Sequence, residues 1–414
     1  MLDFRPPKDT PWLISLVKLL SPLYMKVSLH DTRLQIVDGA LERFRKLHGQ
    51  RALVCPNHSN RHDPQVMFCF SKYVGEEFNF VAAREVFDWD RGLNGWWLQH
   101  LGTYSVVRGA PDRESFKMTK KILVEGKKKL VLFPEGEISR QNDTLMPLET
   151  GAAQLSYWAF DELKKTQPEA TIHIIPMALK YTYPTDIKPA LDHTLSLIEE
   201  KLGLRSPGKG SLYERLLAAS QALLLALEKE YNLKPKPEAT LLERIRVLRS
   251  AVLDKMAGYF KMDGAQGDKL LDSVRVLRNK IDDFIYEDDE TLSEYQRQVH
   301  EEKAATMKGF YKDLDRVVNF VAIYDTYVKE HMTQERFTDV LERLEHEVLG
   351  GEPTIKGPRT VLVDVGNAID LQSYGGAYKS NKRDCLAKIT DELFSQISTM
   401  LAKLDKLRNP IYVD

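Results

Sequence analysis

Over the first 180 residues, short apolar runs alternate with stretches of helical period. Arg51–Pro56, Phe78–Ala83, Gly102–Val107, Lys129–Phe133 and Thr171–Ala178 read as buried strands. Between them Pro64–Tyr73, Gly92–Leu101, Arg113–Glu125 and Ala152–Lys165 read as helices. Strands and helices taken in turn predict an α/β domain with a mostly parallel sheet flanked by helices.

The texture changes after Pro189. From about Leu191 to Leu349 there is no convincing strand, only long amphipathic runs. These cover Leu212–Tyr231, Ala239–Lys261, Lys269–Tyr286, Leu292–Lys329 and Thr333–Leu349, with apolar residues at helical spacing such as Leu241, Ile245, Leu248 and Val252. A β-branched run, Arg359–Val365, then returns, and a long helix, Asn381–Leu407, follows it. A strand that reappears after a helical block predicts a split domain. Residues 31–189 plus 355–414 would form the α/β unit, with a large all-helical insertion over 190–354.

Composition narrows the classes. The 414 residues carry 59 basic and 60 acidic side chains, a balance that argues against a protein built to coat nucleic acid. With 43% hydrophobic residues the chain is ordinary for a globular protein. Cys55, Cys69 and Cys385 form no CxxC pair, so free thiols in a reducing, cytoplasmic compartment are expected. Trp12–Leu29 is apolar but broken by Lys18, Ser21-Pro22 and Lys26. That pattern is poor for a bilayer span or a signal peptide. Residues 1–30 read instead as an interfacial helical segment that makes the protein peripheral or monotopic at a membrane surface, with Trp12 and Tyr24 at headgroup level and Lys18 and Lys26 toward anionic lipid. Packing of this segment on the domain itself is the alternative.

Three constellations could carry chemistry. The first is Asn57-His58-Ser59-Asn60-Arg61-His62-Asp63-Pro64. Pro64 suits the first position of a helix and Asp63 its N-cap, so the segment reads as strand, loop and helix start. In a loop His58 and Asp63 can meet, and an aspartate on one imidazole nitrogen leaves the other free as a base. The second is Phe133-Pro134-Glu135-Gly136-Glu137-Ile138-Ser139-Arg140, placed directly after a strand, where α/β domains hold ligands. Gly136 would let a ligand approach the backbone. In the third, Arg108 leaves the Gly102–Val107 strand and would suit a phosphate or carboxylate. Lys127-Lys128-Lys129 offers positive charge to a phosphorylated acceptor or a lipid surface, or is simply a solvated turn.

Taken together and in this order, these blocks resemble the glycerolipid acyltransferase family, of which lysophosphatidate acyltransferases are the best-known members. The family's N-H-x-x-x-x-D box is Asn57, His58 and Asp63. Its glycine–strand–arginine block is Gly102 to Arg108, and its F-P-E-G-x-x-S block is Phe133, Pro134, Glu135, Gly136 and Ser139. Ile174-Ile175-Pro176-Met177 resembles its fourth block. The resemblance covers about 12–189 and extends less closely over 355–414. It implies that His58 is the general base and Asp63 its orienting partner, with acyl-CoA or acyl carrier protein as acyl donor and co-substrate and no other cofactor or metal. It implies a phosphorylated lipid acceptor, 1-acylglycerol-3-phosphate before others. Asn57, Arg108, Phe133, Pro134, Glu135, Gly136, Ser139 and Arg140 would bind substrate. One departure leaves the acceptor open: Glu137 and Ile138 stand where the family commonly has Thr-Arg, and arginine comes only at Arg140. Two rivals remain, a metal-dependent hydrolase using His58, His62 and Asp63, and a non-catalytic lipid-binding relative.

Overall fold

The apolar runs are near-continuous rather than alternating, as a sheet buried on both faces requires, and β2 is buried at all five residues. The strands of the computed structural model are β1 (Asp31–Ile36), β2 (Ala52–Pro56), β3 (Phe78–Ala83), β4 (Thr103–Val106), β5 (Lys129–Val131), β6 (His173–Thr182), β7 (Arg359–Val365) and β8 (Ile369–Asp370). The structure describes residues 3–107, 112–204, 210–234, 236, 238–262, 270–285, 294–319 and 332–413. The sheet order is β1-β7-β6-β2-β5-β3-β4, with β8 on β6 off that path. Its pairs are parallel except β6–β7 and β6–β8. Mostly parallel strands flanked by helices are the α/β class expected.

Helices α1 (Pro11–Val27), α2 (Ala40–Arg45) and α3 (Asp63–Val74) cover one face, burying Phe44, Met67 and Phe70 against Val54, Ile175 and Val363. Helix α4 (Leu93–His100) packs at the β4 edge. Helices α5 (Arg113–Glu125) and α6 (Gly151–Thr166) cover the opposite face. Between β6 and β7 run α7 (Lys188–Lys201), α8 (Leu212–Glu230), α9 (Leu241–Tyr259), α10 (Leu270–Ile285), α11 (Glu294–Asn319) and α12 (Gln334–Leu349). They have their own core, with Leu195, Leu224, Val252, Leu314 and Leu341 among its members. The short α13 (Gly375–Ser380) and long α14 (Lys382–Asp405) close the chain, α14 packing on the α6 face through Ile389, Leu393 and Ile397.

The structure departs from the sequence expectations in several places. Residues 31–36 form a strand that was not predicted; it pairs parallel with β7, more than 320 residues away, and presents few apolar side chains. Helix α7 was also unpredicted. β6 runs on to Thr182, four residues beyond the predicted Ala178.

Past Met177, where β2 ends, that extension has lost its neighbour on the β2 side. Two asparagines take the missing strand's place. The Asn57 amide donates to the Leu179 carbonyl (3.0 Å) and its oxygen accepts from the Leu179 N–H (2.7 Å). Asn142 repeats this at Tyr181, at 2.7 Å for both bonds. Each side chain supplies the donor and acceptor that a buried backbone must otherwise find in a ladder.

Pro22 lies inside α1 and cannot donate to the Lys18 carbonyl, which accepts instead from the Ser21 hydroxyl (3.0 Å). The Lys18 ammonium is turned inward to the Glu76 carbonyl (2.6 Å), which corrects its expected place toward lipid. The lysine run is also internally paired: Lys128 meets Asp9 and Glu77 at 2.8 Å each, and Lys129 is buried against Glu76. No helix among the described residues is long and apolar enough to cross a membrane.

Candidate active site

The site loop follows from β2 ending at Pro56 and α3 starting at Asp63-Pro64. Asp63 is the first helical residue rather than the expected cap, and its carboxylate turns back into the loop. There it accepts from His58 Nδ1 (2.9 Å) and the Asn60 N–H (2.8 Å) on one oxygen, and from the Tyr181 hydroxyl (2.6 Å) on the other. With three donors on a fully buried carboxylate, Asp63 stays an acceptor and holds His58 with its proton on Nδ1. The His58 Nε2 lone pair is then left for a substrate proton. The imidazole stacks on Phe133, with ring centroids 4.1 Å apart and planes 23° off parallel.

The loop after β5 locks the other side of His58. Glu135 is wholly buried; one carboxylate oxygen accepts from the His58 N–H and the other from the Met146 N–H (3.0 Å). Burial pushes the Glu135 carboxyl up to about 7, against the pull of those two amides and of His58. The Ser139 N–H donates to the His58 carbonyl (2.8 Å), as does its hydroxyl (3.2 Å). Gly136 takes a left-handed φ of 73°, which the turn requires. Of the residues expected to touch substrate, Phe133, Pro134, Gly136 and Arg140 line the cavity beside His58. Asn57, Glu135 and Ser139 instead spend their side-chain bonds on the protein's own backbone. Arg108 lies outside the described residues.

Behind the dyad sits a buried set that local spacing did not reveal. Arg359, at the start of β7, donates to Asp31 (2.8 Å), lies 2.8 Å from His62 Nδ1 and covers the Tyr181 ring at 4.5 Å. His62 Nδ1 is also 3.0 Å from the other Asp31 oxygen. Burial and the neighbouring carboxylates of Asp63 and Asp31 push the Tyr181 phenol well up, so it remains a donor to Asp63. His58 and His62 therefore turn to different carboxylates rather than toward a common point, which gives the metal-hydrolase rival no geometric support.

A cavity of about 1840 Å³ crosses the strand ends at His58. Toward the β3–β4 edge its walls are mainly apolar, with Val81 of β3 and Trp97 of α4 but also Glu85, Asp88 and Thr119, and Phe68 of α3 with Leu20 and Tyr24 of α1 adds apolar lining. Toward β7 they are polar and come from the 137–140 loop, from α10, α11 and α12, and from Lys356 and Arg359. The dyad thus stands where an apolar chain and a polar group would meet.

No curated protein matches the chain. The acyltransferase family matches over residues 36–180, a span that contains His58, Asp63 and Glu135 and ends one residue short of Tyr181. The segment 36–180 is an acyltransferase domain of the glycerolipid, lysophosphatidate-acyltransferase-like family.

Proposed function

We propose that this domain transfers an acyl group from acyl-CoA or acyl carrier protein to a hydroxyl of a lysophospholipid or glycerol-phosphate acceptor, with His58 as the general base. The supporting observation is the His58–Asp63 pair, 2.9 Å apart, in a cavity that is mainly apolar on one side and polar on the other. Nε2 of His58 takes the acceptor's hydroxyl proton as the oxygen attacks the thioester carbonyl carbon. The tetrahedral adduct collapses, the C–S bond breaks, and the thiolate leaves with the proton that His58 returns. An ester and a free thiol result, with no covalent enzyme intermediate. Asp63 stabilises the imidazolium between the two transfers. The sequence resemblance by itself points to 1-acylglycerol-3-phosphate within this acceptor class, whereas the side chains of the polar wall point to a different headgroup. In the test, a labelled acyl-CoA is incubated with a panel of lysophospholipids and read by lipid mass spectrometry. A diacyl product is expected, and labelled chain found only as free acid or unspent donor would sink the reading.

We also propose that the protein works at a membrane surface through α1. Trp12 (66% exposed), Leu19 (67%), Leu23 (60%) and Val27 (62%) leave one side of that helix apolar and uncovered, while Leu13, Ile14 and Met25 seat the other on the domain. Leu20 and Tyr24 continue into the cavity wall, so a lipid on this face would have a short path to His58. The protein should sediment with phosphatidylglycerol-containing vesicles. Leu19→Asp/Leu23→Asp should weaken binding by at least about tenfold, given ~1.5–3 kcal/mol per buried leucine. Equal sedimentation by the variant would remove α1 from the interface.

A further inference from the structure

The helices between β6 and β7 form one wall of the site, and the groups they leave unpaired bear on the acceptor's headgroup, an inference that rests on the acyl-transfer reading. The Arg343 guanidinium of α12 donates to the carbonyls of Ser139 (2.9 Å), Arg140 (2.9 Å) and Asn319 (2.8 Å), fastening α11 and α12 to the motif loop. Arg278 of α10 reaches the same loop, pairing with Glu137 at 2.9 Å and with Asp315 of α11 at 3.3 Å. Glu137, which with Ile138 stands where the family commonly has Thr-Arg, is therefore answered by a cation from the interposed helices.

Two kinds of unmet bonding remain on this wall. Arg140 Nη1 and Asn319 Nδ2 are buried without a hydrogen-bond partner, and Asn319 is only 7% exposed. Both residues line the cavity, although these two nitrogens are themselves closed off from it until the side chains turn. Buried donors of this kind are destabilising unless an acceptor arrives. Glu342 of α12 lines the same cavity, and among the described residues its carboxylate has neither a hydrogen bond nor an ion pair. Of the nearby cations, Arg359 has Asp31 and Lys356 has Glu345, while Arg140 attracts Glu342 without forming an ion pair with it. Burial raises the Glu342 carboxyl above its ordinary value despite those cations. The wall thus presents unsatisfied donors and an unsatisfied carboxylate together.

We propose that this wall is the headgroup subsite for a zwitterionic lysophospholipid, with the phosphate-diester oxygens on Arg140 and Asn319 and an ammonium on Glu342. A phosphate monoester would bring its second negative charge up to Glu342 and Asp315. An uncharged diester substituent would leave the Glu342 carboxylate unanswered. Specificity would then reside in the interposed helices, while the chemistry stays in the 36–180 domain.

The test compares kcat/KM for lysophosphatidylethanolamine, lysophosphatidylglycerol and lysophosphatidate of one chain length, with one acyl-CoA in one detergent. The ethanolamine acceptor should lead each of the others by about tenfold, the size of one charge-assisted hydrogen bond. Glu342→Gln should bring its lead over the glycerol acceptor to within about threefold, and Glu342→Lys should reverse the order in favour of lysophosphatidate. Asp315→Asn, at the edge of the wall, serves as the second variant if the Glu342 proteins do not fold, and should also narrow the lead. A wild-type preference for lysophosphatidate, or a lead unchanged in the folded variants, overturns this assignment and leaves acyl transfer standing. Failure of the wild type to acylate any of the three overturns the parent reading instead.

Discussion

Replacing His58 with alanine is expected to lower kcat for acyl transfer about 10²–10⁴-fold, the usual range for a positioned general base. KM for either substrate should change little, because the imidazole is one small part of a cavity of about 1840 Å³. The fold should survive. Asp63 keeps the Asn60 N–H and the Tyr181 hydroxyl, and the His58 backbone remains clamped by Glu135 and Ser139. Asp63→Asn would test the same arrangement from the other side. Its amide oxygen can still accept from Nδ1 and the Asn60 N–H, with the NH₂ turned to the Tyr181 hydroxyl, so the ring keeps its place but loses the negative charge that stabilises the imidazolium. Both variants should therefore lose rate, with melting temperatures near that of the wild type. A His58→Ala enzyme that retains the wild-type kcat would end the general-base assignment.

Arg359→Met should produce the largest loss of stability, about 3–5 kcal/mol, because it leaves a buried carboxylate without its cation. Asp31 is fully buried, and Arg359 is its 2.8 Å partner. The same substitution uncovers the Tyr181 ring, whose hydroxyl orients Asp63, so kcat should fall along with stability. The double variant Asp31→Asn/Arg359→Met removes both charges and should recover most of the stability, since replacing a whole buried pair is often neutral. Denaturant unfolding of the three proteins reads these differences. A single variant within about 1 kcal/mol of wild type would show that Asp31 is compensated elsewhere, with His62, 3.0 Å away, the first candidate.

The parts of this molecule that were legible in the sequence are those fixed by neighbouring residues. β2 and β3 carry strong apolar signatures and fall within a residue of where the pattern puts them. The His58–Asp63 contact was legible because Pro64 forces a helix start and leaves a loop in which the two can meet. Asp31, Tyr181 and Arg359 were not legible. They lie on three different strands up to 328 residues apart, and only sheet pairing brings them together. The antiparallel direction of β7 against β6 was hidden for the same reason, because strand direction is not written in a strand's own residues. The misplacement of Lys18 has a related cause. Spacing along α1 shows that the lysine interrupts an apolar run, but not that the Glu76 carbonyl waits beneath it. Asn57 was picked out by its place beside His58, yet its amide serves the Leu179 backbone.

The two asparagines that bond to the end of β6 also bear on how the protein avoids self-association. A strand segment with one bare side is a template on which any passing extended chain can pair. Filling that side with another strand would restore the ladder, but its backbone would occupy space beside the cavity. Two carboxamides satisfy the Leu179 and Tyr181 backbone groups with a few atoms each. The cavity beside His58 can therefore lie next to an interrupted sheet without offering that interruption as a seed for aggregation.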